Sequence, residues 1–421
     1  QLLGTVILSS EGKPYVWKAV DITSERKNNA AVINKTEAML TELKNKEITV
    51  CAIVTDSASA YAAARRRMRI SNRSIIFLPC FAHQINLCVG EIFKESTEFK
   101  ITVDRGIRLA TYFNNSNHKF FIGHLRNQQY ETYKKHIAIS VPGETRWNSL
   151  YNMCVSLLKT QQALQQGETP TLPREIFEII DSSTFWDQIT LINEILDPYC
   201  KLLNLLQCDK ARLFQVVHSM NYLVQFWLNY SDDTLAKRII GRLEKRWKDW
   251  EQPLLLLSYL LHPEYRMNQF NNTISSVNYS AFGKWLMYYY RAWSGKEPKC
   301  ILPLQMSKLR AEITYGQCLH NNLPSIEPTL DINNANKTDI NQHFNNINGL
   351  ENVRDNKNDF SEYLQGWAEM LEEEKNVELD EETEEQSNTQ IGDVTHPAND
   401  TSTKWDLLTL FNNIDVNLPF Q

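Results

Sequence analysis

Glycine is scarce in this chain, with 14 in 421 residues, about half the usual share. That works against a loop-rich β architecture and favours helix. No apolar run approaches the roughly 20 residues needed to cross a bilayer. The densest, PLLLL at residues 253–257, is far too short, and no secretory leader pattern is visible. The eight cysteines, at 51, 80, 88, 154, 200, 208, 300 and 318, include no Cys-x-x-Cys pair. Neither a disulfide framework nor a paired-cysteine metal site is expected from that spacing, and the thiols read as reduced, in a soluble intracellular protein.

What is present is unevenly spread. The formal charge is −6, yet residues 321–421 hold 21 acidic against 5 basic side chains, leaving 29 acidic and 39 basic in the first 320. A body of net charge +10 suits a polyanionic partner, and a tail of −16 either competes for the same surface or is merely solvated.

Along the chain, residues 5–9 and 15–20 are β-rich runs around Glu11-Gly12-Lys13-Pro14, the pattern of a hairpin. A helix is expected over 29–46, with Ala31, Ile33, Met39, Leu40 and Leu43 for its inner face. Residues 48–54 (ITVCAIV) read as an interior strand ending on Thr55-Asp56-Ser57. That would put Asp56 at the carboxyl end of a central strand, where open α/β sheets place their chemistry, and makes it a candidate metal ligand. A helix over 58–70, a strand over 74–78 and a helix over 82–94 follow. From 97 to 294 only helical spacing persists, as in Phe185, Ile189, Ile192, Ile195 and Leu196. Its aromatics, among them Trp186, Phe226, Trp227, Trp247, Trp250 and the run 285–290, are either core or platforms for unpaired bases.

The order of these pieces, with TDSA at 55–58, CFAHQINL at 80–87 and ETRWNSL at 144–150, resembles transposases of the hAT superfamily over roughly residues 1–316. The resemblance implies a fold of α/β plus all-α class: a ribonuclease-H-like mixed sheet interrupted by a large helical insertion. It also implies DNA cleavage and strand transfer through two divalent cations, Mg2+ or Mn2+, clamped by three acids. Asp56 matches the second acid. The family's first strand, which carries the first acid, has no counterpart here, and neither Asp21 nor Glu11 stands where the fold needs that acid. The third acid lies in a Glu-Arg-aromatic-Ser motif after the insertion. No such motif occurs around residues 291–316, where Glu297 and Glu312 are the nearby acids. One ligand of three leaves a divalent ion held mostly by water. The expectation is therefore an incomplete domain, with no cofactor bound and no catalysis.

The expected divisions are a partial ribonuclease-H-like domain at 1–96, a helical insertion at 97–294, a remnant terminal helix within 295–320 and an acidic, mostly disordered tail at 321–421. Two amphipathic islands stand out in that tail, at 360–371 and 405–411; they either dock on a protein partner or are untethered remnants of a drifted frame. Since the chain opens on Gln1 inside a strand pattern, a fragment is expected.

The candidate DNA contacts each carry two readings. Arg146 and Trp147, matching the family motif associated with a flipped base and hairpin end, begin a periodic helix after Pro142-Gly143 and Thr145; an Arg and a Trp in a first turn can meet a phosphate and a base, or Trp147 can bury itself as an anchor. Cys80 and His83, beside the active acids in the family, either meet phosphate or pack at a helix start. Zinc is disfavoured at that pair, because four ligands are needed and no matching second pair is present. Arg65, Arg66 and Arg67, with Arg69 and Arg73, form the densest basic run; at 100° per residue they cannot all face one way. They make phosphate contacts or line a solvated helix end. DNA is the expected partner, the nucleus the expected compartment, no membrane is involved, and self-association stays open.

Overall fold

The computed structural model describes residues 2–10, 12–23, 28–56, 58–143, 147–166, 172–208, 211–262, 265, 267–296, 365 and 395–412. Gln1–Glu297 and Phe360–Gln421 gather into one compact unit. The second unit, Pro298–Asp359, falls outside the described residues, as do Glu297, Glu312, the helix expected after residue 305 and all of the 360–371 island except Gln365.

The chain is a mixed α/β segment followed by a helical one. Strands β1 (Leu2–Leu8) and β2 (Pro14–Asp21) form the expected antiparallel hairpin. Its turn requires Gly12, whose φ of 81° lies in the left-handed region open to glycine and strained for most residues. Helix α1 (Asn29–Asn45) starts where Asn28 caps it, its side chain accepting from Ala31 N–H. Strand β3 (Ala52–Thr55), helix α2 (Ser59–Ser71), strand β4 (Ile76–Pro79) and helix α3 (Phe81–Glu95) complete the first part.

The strands do not make one sheet. β1 pairs with β2, and β3 pairs in parallel with β4, as two separate two-stranded sheets. The stretch 48–54 is therefore not an interior strand. Only its last residues are strand, Ile48 is 37% and Val54 59% exposed, and among the described residues β3 pairs with β4 alone. An interior strand has both faces covered by packed layers, and the exposure of Val54 shows that β3 does not. The hairpin leans on α1 through polar contacts: Lys18 Nζ reaches Glu42 Oε2 at 3.4 Å, and Lys46 Nζ sits 5.7 Å from the centre of the Trp17 ring.

Among the described residues from 97 to 294 the regular elements are helices: α4 (Thr97–Asn114), α5 (Lys119–Tyr133), α6 (Trp147–Gln165), α7 (Arg174–Asp181), α8 (Ser183–Leu206), α9 (Leu213–Leu228), α10 (Asp233–Asp249), α11 (Gln252–Leu260) and α12 (Tyr279–Ser294). α8 is the axis of this packing, touching α3, α4, α6 and α9. Ser182 caps it by accepting from Phe185 N–H, and Ile189, Ile192, Leu196, Tyr199 and Leu203 recur at helical spacing with almost no exposure. Each such side chain contributes about 1.5–3 kcal/mol on burial. Gly106 lets α4 close on α6, since a β-carbon there would sit 3.0 Å from Met153 Cε.

A boundary at residue 96 is crossed by a continuous core. α3 packs on α8 and α10, and its Glu91 meets Arg246 of α10 in a buried ion pair at 3.0 Å, with Gln84 Oε1 accepting from the same guanidinium. Nearby Arg242 reaches Glu95 at 2.8 Å.

The tail departs most from expectation. Residues 395–412 lie against the chain's own helices. Trp405 is clasped from several sides. Its carbonyl accepts from Trp247 Nε1 (2.9 Å), its N–H donates to Gln252 Oε1 (2.8 Å) and its indole donates to Ser276 Oγ (2.8 Å). Glu244 of α10 accepts from Leu407 and Leu408 N–H, capping the short helix α13 (Leu407–Leu410) from outside. Phe411 stacks on Phe270 at 5.3 Å and forms an antiparallel bridge with it. The apolar spacing of Trp405, Leu407, Leu410 and Phe411 is that of a docking segment, as the sequence indicated. Its groove is intramolecular.

Candidate nucleic-acid interface

The parallel pair β3–β4 organises the candidate site. Thr55 is paired with Pro79, so the next residues, Asp56 and Cys80, leave the same carboxyl edge. Cys80 N–H donates to Thr55 O at 2.7 Å and thereby closes that edge. Cys80 then occupies the cap position of α3, half-buried, and His83 lies half-buried in the first turn. The Arg246–Glu91 pair and the buried face of α3 hold this helix start in place.

Asp56 is exposed, and its Oδ1 accepts from Ala58 N–H at 3.2 Å, a local turn leading into α2. Arg65, about two turns into α2, folds back on the strand end. Its Nη1 donates to the Thr55 hydroxyl and to Asp56 O, the latter at 2.5 Å. A guanidinium thus sits on the backbone carbonyl of Asp56. Tyr61, on the same helix, has its phenol pushed up first by burial and then by the Asp56 charge. Arg66 is half-buried and Arg67 exposed, so the basic run is divided around the helix as its periodicity requires.

Other candidates fall elsewhere. Arg146 is outside the described residues. Trp147 is 0% exposed and lies parallel to Phe93 at 4.9 Å, inside the core that joins α3 to α6. Its ring has no open face for a base; the apolar wall of α3 accounts for its position. Trp186, Trp227, Trp247, Trp250 and Trp285 are likewise core. Asp21 turns its carboxylate onto Thr23, whose N–H and hydroxyl hold its pKa down. Glu11 is outside the described residues.

Among the described residues no group of three or more His, Cys, Asp or Glu stands together to hold a metal ion. No helix there is long and apolar enough to cross a membrane, and no disulfide joins the six described cysteines. Burial pushes the thiols of Cys154 and Cys200 up to about 12, as expected of inert core cysteines.

One cluster was not legible in the sequence. Arg69, Glu251, Tyr288, Tyr289, His396 and Lys404 converge from four stretches of chain. Arg69 was visible as part of the basic run, but its partners lie from about 180 to over 330 positions away, beyond any local pattern. No protein-family model, curated protein or solved structure matches this chain.

Proposed function

We propose that the chain derives from a hAT-superfamily transposase, that its α/β part is an incomplete ribonuclease-H-like domain, and that it binds nucleic acid without cutting it. The observation that carries this reading is the Arg65 guanidinium seated on the carboxyl edge beside Asp56. A cation held on the backbone of that strand end favours a phosphate there over a divalent ion. The excess of 39 basic over 29 acidic residues in the first 320 extends the same preference over the body. Cys80, His83, Arg66 and Arg67 flank that edge as phosphate contacts, and the nucleus is the matching compartment.

Binding of the full chain to duplex and hairpin-ended DNA, followed across a salt series, tests the reading. The logarithm of affinity should fall linearly with that of salt, and Arg67→Ala should flatten the slope by about 1. The full chain is needed because residues 395–412 complete the core. No salt-sensitive binding would leave a protein-interaction role. In Mg2+ or Mn2+, nicking of hairpin-ended DNA that disappears in Asp56→Ala would instead make this an active transposase.

A further inference from the structure

The cluster around Arg69 has more donors than acceptors. Tyr289 donates its hydroxyl to Glu251 Oε1, and Lys404 Nζ donates to the carbonyls of Lys248 (2.6 Å) and Trp250 (3.0 Å). The one side-chain hydrogen bond of Arg69 among the described residues runs from Nη2 to Asn399 Oδ1 at 2.8 Å. Its Nε and the Tyr288 hydroxyl are buried with no acceptor. His396 adds a third donor. Ala398 N–H donates to its Nδ1 at 3.2 Å, which assigns the proton of the neutral ring to Nε2. That nitrogen lies 4.0 Å from Glu251 Oε1, beyond hydrogen-bond reach.

These groups are neighbours. The Tyr288 ring meets the His396 ring edge-on at 5.3 Å, and Arg69 feels the charges or dipoles of Glu251, Tyr288 and Tyr289. Native structures leave few buried donors without an acceptor. A cation is repelled by Arg69, an apolar filler leaves the donors unmet, and one water accepts at most two hydrogen bonds.

We infer that Arg69, Tyr288 and His396 together bind a phosphate group, its oxygens accepting from Arg69 Nε, the Tyr288 hydroxyl and His396 Nε2. Burial, then the charges of Arg69 and Arg73, press His396 down to about 3; burial, then Arg69, press Lys404 down to about 8, with Asp249 and Glu251 opposing the shift of Lys404. A bound anion would offset the part of these shifts that comes from the two arginines. The phosphate is either inorganic or carried by a nucleic acid, and the recognition chemistry is the same.

The full chain in phosphate-free buffer, titrated with inorganic phosphate and with an oligonucleotide bearing or lacking a 5′-phosphate, tests this. Wild type should bind inorganic phosphate saturably and melt at a higher temperature with it. Tyr288→Phe keeps the ring against His396 and removes one donor, so its affinity should fall about tenfold. Without phosphate Tyr288→Phe should melt at or above the wild-type temperature, because an unmet hydroxyl has gone; with phosphate the order should reverse. Arg69→Lys, keeping charge but losing Nε, should weaken binding similarly; if it does not fold, Tyr288→Phe decides alone. A preference for the 5′-phosphorylated oligonucleotide that Tyr288→Phe abolishes assigns the phosphate to nucleic acid, and binding of inorganic phosphate alone assigns it to the free ion. No saturable binding by wild type, or equal binding by Tyr288→Phe, overturns the inference and leaves the cluster to water. DNA affinity at the Arg65 edge is read separately, since Tyr288→Phe leaves that edge untouched.

Discussion

Residues of the same kind meet opposite fates in the two halves of this molecule. In the first 55 residues Val16 is 82%, Leu8 65% and Val54 59% exposed, whereas Trp227, Trp247 and Leu243 of the helical part are 0% exposed. The difference lies in how each element satisfies its backbone. A helix bonds internally and needs only a partner for one face, and α8 has four helical neighbours. A strand needs lateral neighbours as well as a covering layer, and pairs of two strands are marginal alone. Apolar residues suited to a wider sheet are left on the surface when that sheet stops at two strands.

The contrast would be broken most directly at Trp247. Trp247→Ala should lose about 4 kcal/mol in chemical denaturation and uncover the amides of Leu407 and Leu408 to hydrogen exchange, because its indole holds Trp405 O; Val16→Thr should stay within about 0.5 kcal/mol. Equal losses at the two sites would mean that the hairpin is buried in solution. Next comes the joint between the halves. Arg246→Met, stranding Glu91 in the core, should cost about 3 kcal/mol, and a double change that also replaces Glu91 with Leu should recover much of it.

A smaller effect sharpens the role of the docked tail. Burial, then the charges of Arg69 and Arg73, press His396 down to about 3 in the folded chain from its ordinary value of 6.5. The unfolded chain therefore binds the extra proton between those values, and His396's contribution is complete above pH 6.5 and lost as pH falls toward 3. Stability should drop by about 1.4 kcal/mol per pH unit within that window, and His396→Gln should flatten this acid limb in urea titrations at stepped pH. Smallest of all, Lys18→Ala should change stability by less than about 0.5 kcal/mol, since its pair with Glu42 is exposed on both sides.

Local patterns were readable wherever short-range physics decides. The hairpin around Gly12, the helix after Asn28, the Cys80–His83 helix start and the long helical region each follow from periodicity, caps and turn residues close in sequence. The position of Asp56 after a strand was also readable. That β3 is exposed was not, because the apolar, β-branched run over 48–54 reports composition and not what covers the strand. Trp147 shows the same limit: a first-turn tryptophan looks identical in sequence whether it faces a base or Phe93.

By itself, then, the sequence determined which segments are helical or extended, which residues are apolar, and that the body is basic and the tail acidic. Only tertiary structure decided that the segment around Trp405 docks on its own chain, that Glu91 meets Arg246, and that Arg69, Tyr288 and His396 come together. Those contacts join positions more than a hundred residues apart, and which distant groups meet depends on how the whole core closes, something no local window of sequence encodes.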